Sequence, residues 1–421
     1  MSRRLTRRTL LTGTAAGAAG AAARLAGFPA PAIAENPPVK IGLLTVKTGP
    51  LAQGGIQMEQ GVLTYLKEIN YIMGGRKVDF VSADTGGTAA GAKTKAQELI
   101  ERDKVDLILG PLATPEMYAI TDYVREQKTP TLSLAAADDL TQRRPNPYLL
   151  RASSTSSQAM QPLADYVATE MKLKRVITLA DDLAFGYEEM GGFQAVLQQA
   201  GGCIVNKLWP PLVTPDYTPY VAQINDCDGV CQGFAGSNPL RFMKAYADAG
   251  LKYPVVTGEV GGDDALLKSF GDEALGMISS CPYSLDFGND ANKRFIGEML
   301  KNFNTVPGFY AAGLYVNCQV VAAGLAATAG DISDKEKFMA ALRAVSLTDT
   351  PRGPIKFDHL GNVVGTFCIR RCEKSSGQYG LKLWNKIVKT YDNVSQFWRW
   401  SEREFLAHPV YSRDYPALAK C

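Results

Sequence analysis

Val39-Lys40-Ile41-Gly42-Leu43-Leu44 is a short apolar run, and the turn residues Thr48-Gly49-Pro50 follow it. Behind the turn, Gly55 to Asn70 carries Val62, Leu63, Leu66 and Ile69 at helical spacing. A strand followed by a helix with one apolar face is the opening half of a βαβ unit. The alternation then repeats. Lys77–Ala83 reads as a strand, Ala89–Arg102 as a helix, and Val105–Leu109 as a strand. Pro115–Glu126 reads as a helix, with Pro115 suited to its first turn, and Thr131–Leu134 as a strand. Such order predicts a parallel sheet covered by helices on both faces.

A second round begins after the polar stretch Leu150–Thr155, which suits a hinge. Helices are predicted over Ser157–Met171, Glu188–Ala200, Tyr217–Asn225 and Pro239–Ala249, the last closed by Gly250. Strands are predicted over Val176–Ala180, Cys203–Leu208, Val230–Ala235 and Val255–Thr257. After Cys281-Pro282-Tyr283 come three helical patterns, Ala291–Phe303, Phe309–Ala327 and Lys335–Val345. A strand-rich tail lies behind Pro351-Arg352-Gly353-Pro354. The fold class is therefore α/β, with two doubly wound lobes in succession.

The 421 residues hold 45 basic and 42 acidic side chains, a net of +3. Five of the basic residues, Arg3, Arg4, Arg7, Arg8 and Arg24, lie in the first 34 positions. Without those five, 40 basic residues face 42 acidic ones, a net of −2. The net charge of the remainder gives no support for a nucleic-acid partner. Thr6-Arg7-Arg8-Thr9-Leu10-Leu11 is a twin-arginine pattern, the weakly apolar stretch Leu10–Ala23 follows, and Ala32-Ile33-Ala34 is a small-x-small cleavage site. Residues 1–34 thus read as an export signal of the twin-arginine route, and the mature protein is expected in the periplasm. No later window offers about 20 uncharged apolar residues, so no membrane span is expected.

The chemistry of an enzyme is poorly provided for. There are two His, His359 and His408, and neither lies near a Ser or Cys elbow. No G-x-S-x-G, G-K-[ST] or H-E-x-x-H occurs. The loop Thr48–Gly55 lacks the G-x-G-x-x-G spacing, and Pro50 removes a backbone donor. Cys227/Cys231 and Cys368/Cys372 have zinc-like spacing without a compact knuckle around them. Cys231, Cys281 and Cys318 sit in apolar runs as small hydrophobes. No metal and no cofactor are expected, and the pairing of the eight Cys stays open.

In open α/β sheets, ligands bind at the carboxyl ends of the strands, where helix N-termini offer free N–H groups to an anion. In the first lobe these ends carry Gly110–Pro115 and Ser133–Ala137. In the second they carry Asp181–Tyr187, Gly236-Ser237-Asn238 and Gly258-Glu259.

These landmarks stand in a recognisable order. They are Ile41-Gly42 with Thr48-Gly49-Pro50, Gly110-Pro111 with Thr114, Ser133, Arg151 and Asp181 with Phe185-Gly186. Further on come the helix containing Tyr315, Gly353–Asp358 and Gly361-Asn362. In that order the chain resembles the periplasmic solute-binding proteins of the branched-chain amino acid type, which feed ABC importers. The resemblance implies two lobes joined by three crossings and closing on a ligand. The crossings would fall near Arg151–Ser153, Cys281–Ser284 and Arg352–Lys356. Lobe 1 would comprise 35–152 and 283–351, and lobe 2 would comprise 153–282 and 352–421. It also implies a monomer that docks on an ABC permease in the inner membrane.

The resemblance further implies a site. Thr114, Ser133 and the backbone of Ala135 and Ala136 would hold a carboxylate. Phe185, Ser237 and Tyr310 would close over the apolar part, and Glu259 would meet an ammonium group. Phe185 stands where family members often have Tyr, Ala137 or its neighbours where they often have Thr, and Gly54 where some have Trp. Loss of the indole should enlarge the pocket. Fewer polar partners and more room favour an apolar acid, because unpaired polar groups in a closed site are costly. The expected ligand is an aromatic acid or a branched-chain amino acid. Val394–Trp398 and Pro409–Ser412 resemble branches of the family linked to aromatic-acid uptake. A sensor domain of the same fold is the alternative, and an exported α/β enzyme the remoter one.

Overall fold

The computed structural model describes residues 37–421, so the expected export signal lies outside the described residues. The first sheet contains β1 (Val39–Thr45), β2 (Ile72–Met73), β3 (Arg76–Asp84), β4 (Leu107–Leu109), β5 (Thr131–Leu132) and β6 (Leu149–Leu150), in the order β2-β3-β1-β4-β5-β6. All its pairings are parallel except the β2–β3 hairpin. The helices α1 (Ala52–Glu68), α2 (Ala89–Gln97) and α3 (Thr114–Glu126) connect these strands. Such crossovers bury both sheet faces, which is why β1 and β4 are apolar almost throughout.

The second sheet has β7 (Arg175–Ala180), β8 (Cys203–Leu208), β9 (Gly229–Gly233), β10 (Val255–Thr257) and β11 (Ile278–Cys281), all parallel in the order β8-β7-β9-β10-β11. Its helices are α4 (Ser156–Thr169), α5 (Ala184–Gln199), the single turn α6 (Thr218–Val221) and α7 (Asn238–Asp248). The C-terminal part adds β12 (Ile355–Phe357), β13 (Val363–Lys374) and β14 (Leu383–Val394) as an antiparallel extension, with β13 paired to β11. Between β11 and β12 the chain forms α8 (Asp290–Phe303), α9 (Phe309–Ala327) and α10 (Lys335–Arg343), and α11 (Glu402–Ala407) lies near the end. The two parallel-stranded lobes expected from the alternation are present.

Several local expectations needed correction. Only Thr218–Val221 of the predicted helix Tyr217–Asn225 is helical, and Asp226 turns the chain with φ 48°. β11 was not anticipated, because Ser279 and Ser280 make a fully buried strand look half polar. α9 is long and apolar enough to cross a membrane, contrary to the expectation that no later window is. Here it is a core helix, buried along most of its length. It lies so close to α1 that a Cβ on Gly61 would sit 2.2 Å from the Ala311 carbonyl oxygen.

The chain passes between the two sheets three times, and a fully buried arginine stands at each passage. Arg151, just after β6, donates Nε to Asn362 Oδ1 (2.8 Å) and Nη1 to the carbonyls of Ala135 (3.0 Å) and Ala137 (2.7 Å). Arg370, on β13, donates to the carbonyls of Tyr283 (3.0 Å) and Gly262 (2.9 Å) and pairs with Asp264 at 3.1 Å. Arg352 donates Nη1 to the Ser153 carbonyl at 2.9 Å and to that of Ala152. A guanidinium suits these places because its planar fork satisfies several carbonyls from one side chain.

The last residues form a strap. Gln194 donates to the Ala417 carbonyl at 2.8 Å, and Arg143, in the β5–β6 connection, donates to that of His408 at 2.7 Å. A disulfide joins Cys203 of β8 to Cys421. Cys231, Cys281, Cys318, Cys368 and Cys372 are free and buried, and Cys227 is free and half-buried. No group of side chains suited to a metal occurs among the described residues.

Candidate functional site

A cleft of about 600 Å³ opens between the carboxyl ends of the two sheets. On the first-lobe side it is lined by Thr114 and Ala113 at the start of α3, by Gly87, and by Leu134 and Ala136 beyond β5. On the second-lobe side it is lined by Leu183 and Phe185 at the start of α5, by Ala235 beyond β9, and by Glu259 and Val260 beyond β10. Phe309 and Tyr310, from the first turn of α9, complete the wall. Each lining element is therefore a strand end or a helix start, where a parallel sheet leaves its connections free.

The free hydrogen-bond donors lie on the first-lobe side, opposite the acid Glu259. The Thr114 N–H opens α3 and has no carbonyl in the preceding turn to receive it. Among the described residues, neither the Thr114 hydroxyl nor the Ala136 N–H is bonded to another group of the chain. Two donors at the N-terminus of α3 and one in the turn beyond β5 make a seat for a carboxylate.

Ser133 and Ala135 do not line the cleft. The Ser133 hydroxyl accepts the Ala135 N–H at 3.0 Å and reaches the Pro111 carbonyl at 3.4 Å. The Ala135 carbonyl goes to Arg151. Both residues shape the turn that presents Ala136. Ser237 is exposed at the start of α7, outside the cleft lining.

On the second lobe, Phe185 lies in the first turn of α5. Gly186 follows it because a Cβ there would meet the Asp181 carbonyl oxygen at 2.2 Å. Asp181 accepts the Ala235 N–H at 2.8 Å and Asn238 Nδ2 at 2.7 Å, so it fixes the Ala235 turn and does not face the cleft. Glu259 is buried, and both its oxygens lie within reach of the Ser154 hydroxyl (2.8 and 2.7 Å). Burial pushes its carboxyl up to about 7, against the Ser154 bond and the fields of Arg352 and Arg151. Burial likewise raises Asp263 to about 7, although it accepts the Phe309 N–H at 2.9 Å. Glu189 lies behind this wall with neither oxygen bonded, and burial drives its carboxyl well upward.

Gly54 behaves differently from the expectation. It lies inside α1, and a Cβ on it would meet the Tyr310 ring at 2.9 Å. The space left by a missing indole is thus filled by Tyr310, whose ring packs edge-on against Phe309 at 5.3 Å. Leu112 and Leu183 fall within the strand-end stretches expected at the site, whereas Leu51, Leu212 and Phe309 carry no sequence signal as lining residues. An apolar residue beside a turn carries no signal that separates a cleft wall from a core.

A family model described as periplasmic binding protein matches residues 38–375. The chain belongs to this family, which binds solutes outside the cytoplasm and is not a family of enzymes. It is 29% identical over 366 residues to Leu/Ile/Val-binding protein homolog 6 of Brucella suis, covering 84% of this chain and 92% of that one. A solute-binding protein of an ABC transporter from Rhodopseudomonas palustris BisB5, solved with 3,4-dihydroxybenzoic acid, is 31% identical. Its TM-score is 0.80, with 85% of this chain and 98% of that chain covered. A second R. palustris solute-binding protein, solved with 4-hydroxybenzoate, is 28% identical with a TM-score of 0.80, covering 85% and 98%.

Proposed function

We propose that the protein captures a small hydrophobic carboxylate between its lobes and delivers it to an ABC permease. The ligand class favoured is the aromatic acids. The observation that carries this reading is the cleft itself: aliphatic and aromatic walls, with unbonded donors on Thr114 and Ala136 at one side. A flat ring fills such walls, and its carboxylate takes the donors. The relatives solved with hydroxylated benzoic acids support the class. Thr114, Ala136, Phe185, Glu259 and Tyr310 are the contact residues in this reading. Lobe 1 is taken as 35–152 with 283–351, and lobe 2 as 153–282 with 352–421. The chain reaches the periplasm by the twin-arginine route and works as a monomer.

A branched-chain amino acid is the second reading, and Glu259 is the observation that favours it. Glu259 is a buried acid among the cleft-lining residues, held by the Ser154 hydroxyl, and in this reading its carboxyl would pair with an ammonium group. Titration calorimetry of the mature protein with benzoate, 4-hydroxybenzoate, L-leucine and L-isoleucine separates the two. Thr114→Val keeps the shape and removes one hydrogen bond to a charge, about 1.5–3 kcal/mol. Binding should weaken tenfold or more. Heat from none of the four acids would remove the proposal, and unchanged affinity in T114V would remove Thr114 from the seat.

A further inference from the structure

Beneath the carboxylate seat lies a buried glutamate. Glu116 is fully buried in the first turn of α3. Its Oε2 accepts the Ala113 N–H at 2.7 Å, and its Oε1 is hydrogen-bonded to the Thr85 hydroxyl. The Thr85 oxygen also accepts the Gly87 N–H at 3.3 Å and lies 3.0 Å from the Thr45 carbonyl. Ala113 and Gly87 both line the cleft. One side chain therefore ties together two cleft turns that come from different strands.

The hydrogens of this cluster can be counted. The Thr85 hydroxyl has one proton and two acceptors beside it, Thr45 O and Glu116 Oε1. If Glu116 were ionised, one of these short contacts would set lone pair against lone pair. A proton on Oε1 satisfies both: Glu116 donates to Thr85, and Thr85 donates to Thr45. The charges around it point the same way. Among the described residues, no Lys or Arg is paired with Glu116. From β3 it faces Asp84, itself bound by the N–H groups of Lys47 and Gly86. Lys47, beyond β1, is engaged with Glu59 of α1 at 2.9 Å. The neighbouring α2 buries Ala92 and Ala96, while Lys93 is exposed and Lys95 pairs with Glu98. Burial raises the Glu116 carboxyl against the lowering effect of its bonds to Thr85, Ala113 and Leu112, and Asp84 adds a smaller rise.

We infer that Glu116 is a positioning residue held as a neutral acid, which donates its proton to Thr85 and so braces the carboxylate seat without setting a negative charge beneath it. The protonation rests on the hydrogen count. The link to ligand rests on the proposal that a carboxylate occupies the seat at Thr114 and Ala136. A charged carboxylate two residues from that seat would repel the ligand, whereas a neutral acid leaves the dipole of α3 unopposed.

The test compares the mature protein with Glu116→Gln and Glu116→Ala. Gln is the isostere of the neutral acid, since its amide donates to Thr85 while its carbonyl accepts from Ala113. Thermal unfolding without ligand is followed from pH 4.5 to 8. A carboxyl raised in the folded state costs stability as pH rises, and Gln does not. The melting temperature of E116Q should therefore gain on the wild type as pH rises. A gain of the wild type on E116Q would show an ionised helix cap and overturn the inference. In calorimetry with 4-hydroxybenzoate, E116Q should bind within about twofold of the wild type and E116A at least tenfold more weakly. Equal losses in both variants would overturn the bracing role. If the wild type binds neither 4-hydroxybenzoate nor L-leucine, the ligand proposal fails and the bracing of a carboxylate seat falls with it, while the unfolding series still decides the protonation of Glu116.

Discussion

Glu259 provides a direct way to tell the two ligand classes apart. Its carboxyl is raised to about 7 by burial. At pH 6 such a group is about 90% protonated, and at pH 8 about 10%. An ammonium group placed against it stabilises the ionised form and drives the proton off. Binding of L-leucine at pH 6 should then release about 0.9 proton per ligand, falling to about 0.1 at pH 8. An aromatic acid has no ammonium, so its binding should release almost none at either pH. The release is read by calorimetry in two buffers of different ionisation enthalpy. Glu259→Gln is the control, because Asp263 and Glu189 are also raised and could contribute. In E259Q the release should vanish. Affinity for L-leucine should fall by about 1.5–3 kcal/mol, the worth of a hydrogen bond to a charged group. Affinity for 4-hydroxybenzoate should hold within about threefold. L-Leucine bound tightly at pH 6 with release below about 0.2 proton, or a release that persists in E259Q, would refute the reasoning.

Three further outcomes are expected. Asp181, Glu259 and Asp263 are each raised to about 7, so the ligand-free protein pays for their burial above their unfolded values near 4 and should melt higher at pH 5 than at pH 7.5, by scanning calorimetry. Cys421→Ser opens a link between residues 218 apart and should cost roughly 2–5 kcal/mol in urea unfolding, with the variant no longer sensitive to reductant. Arg370→Met strands Asp264, whose partner it is at 3.1 Å in a fully buried pair, and should lower stability by about 3–5 kcal/mol by denaturant midpoint.

The alternation of strand and helix was legible because a doubly wound sheet buries both faces of its strands and one face of each helix. Val39–Thr45 and Asp290–Phe303 show this plainly. β11 was hidden because its serines are buried where a neighbouring strand, not the sequence, makes them tolerable. At the site, Thr114, Ala136, Phe185, Glu259 and Tyr310 come together, and all stand at strand ends or helix starts. Ser237 stands at the same kind of place and faces solvent, since position along the chain says nothing of which way a cap points. The role of Gly54 could not be read, because it depends on Tyr310, a residue 256 positions away. Glu116 could have been noticed as an acid three residues after Ala113, the spacing of a helix cap.

The close crossing of α1 and α9 bears on how the protein is made. The face of α1 at Gly61 is covered by Ala311, and the three strands that complete the second sheet begin only after residue 350. Neither half of the molecule can hide its apolar surface while the chain is still emerging. A nascent chain stopped near residue 280 would hold most strands of both sheets and the complete core of neither. Completion of either core then waits for the last third of the chain, which leaves apolar surface open on the nascent protein until late in synthesis.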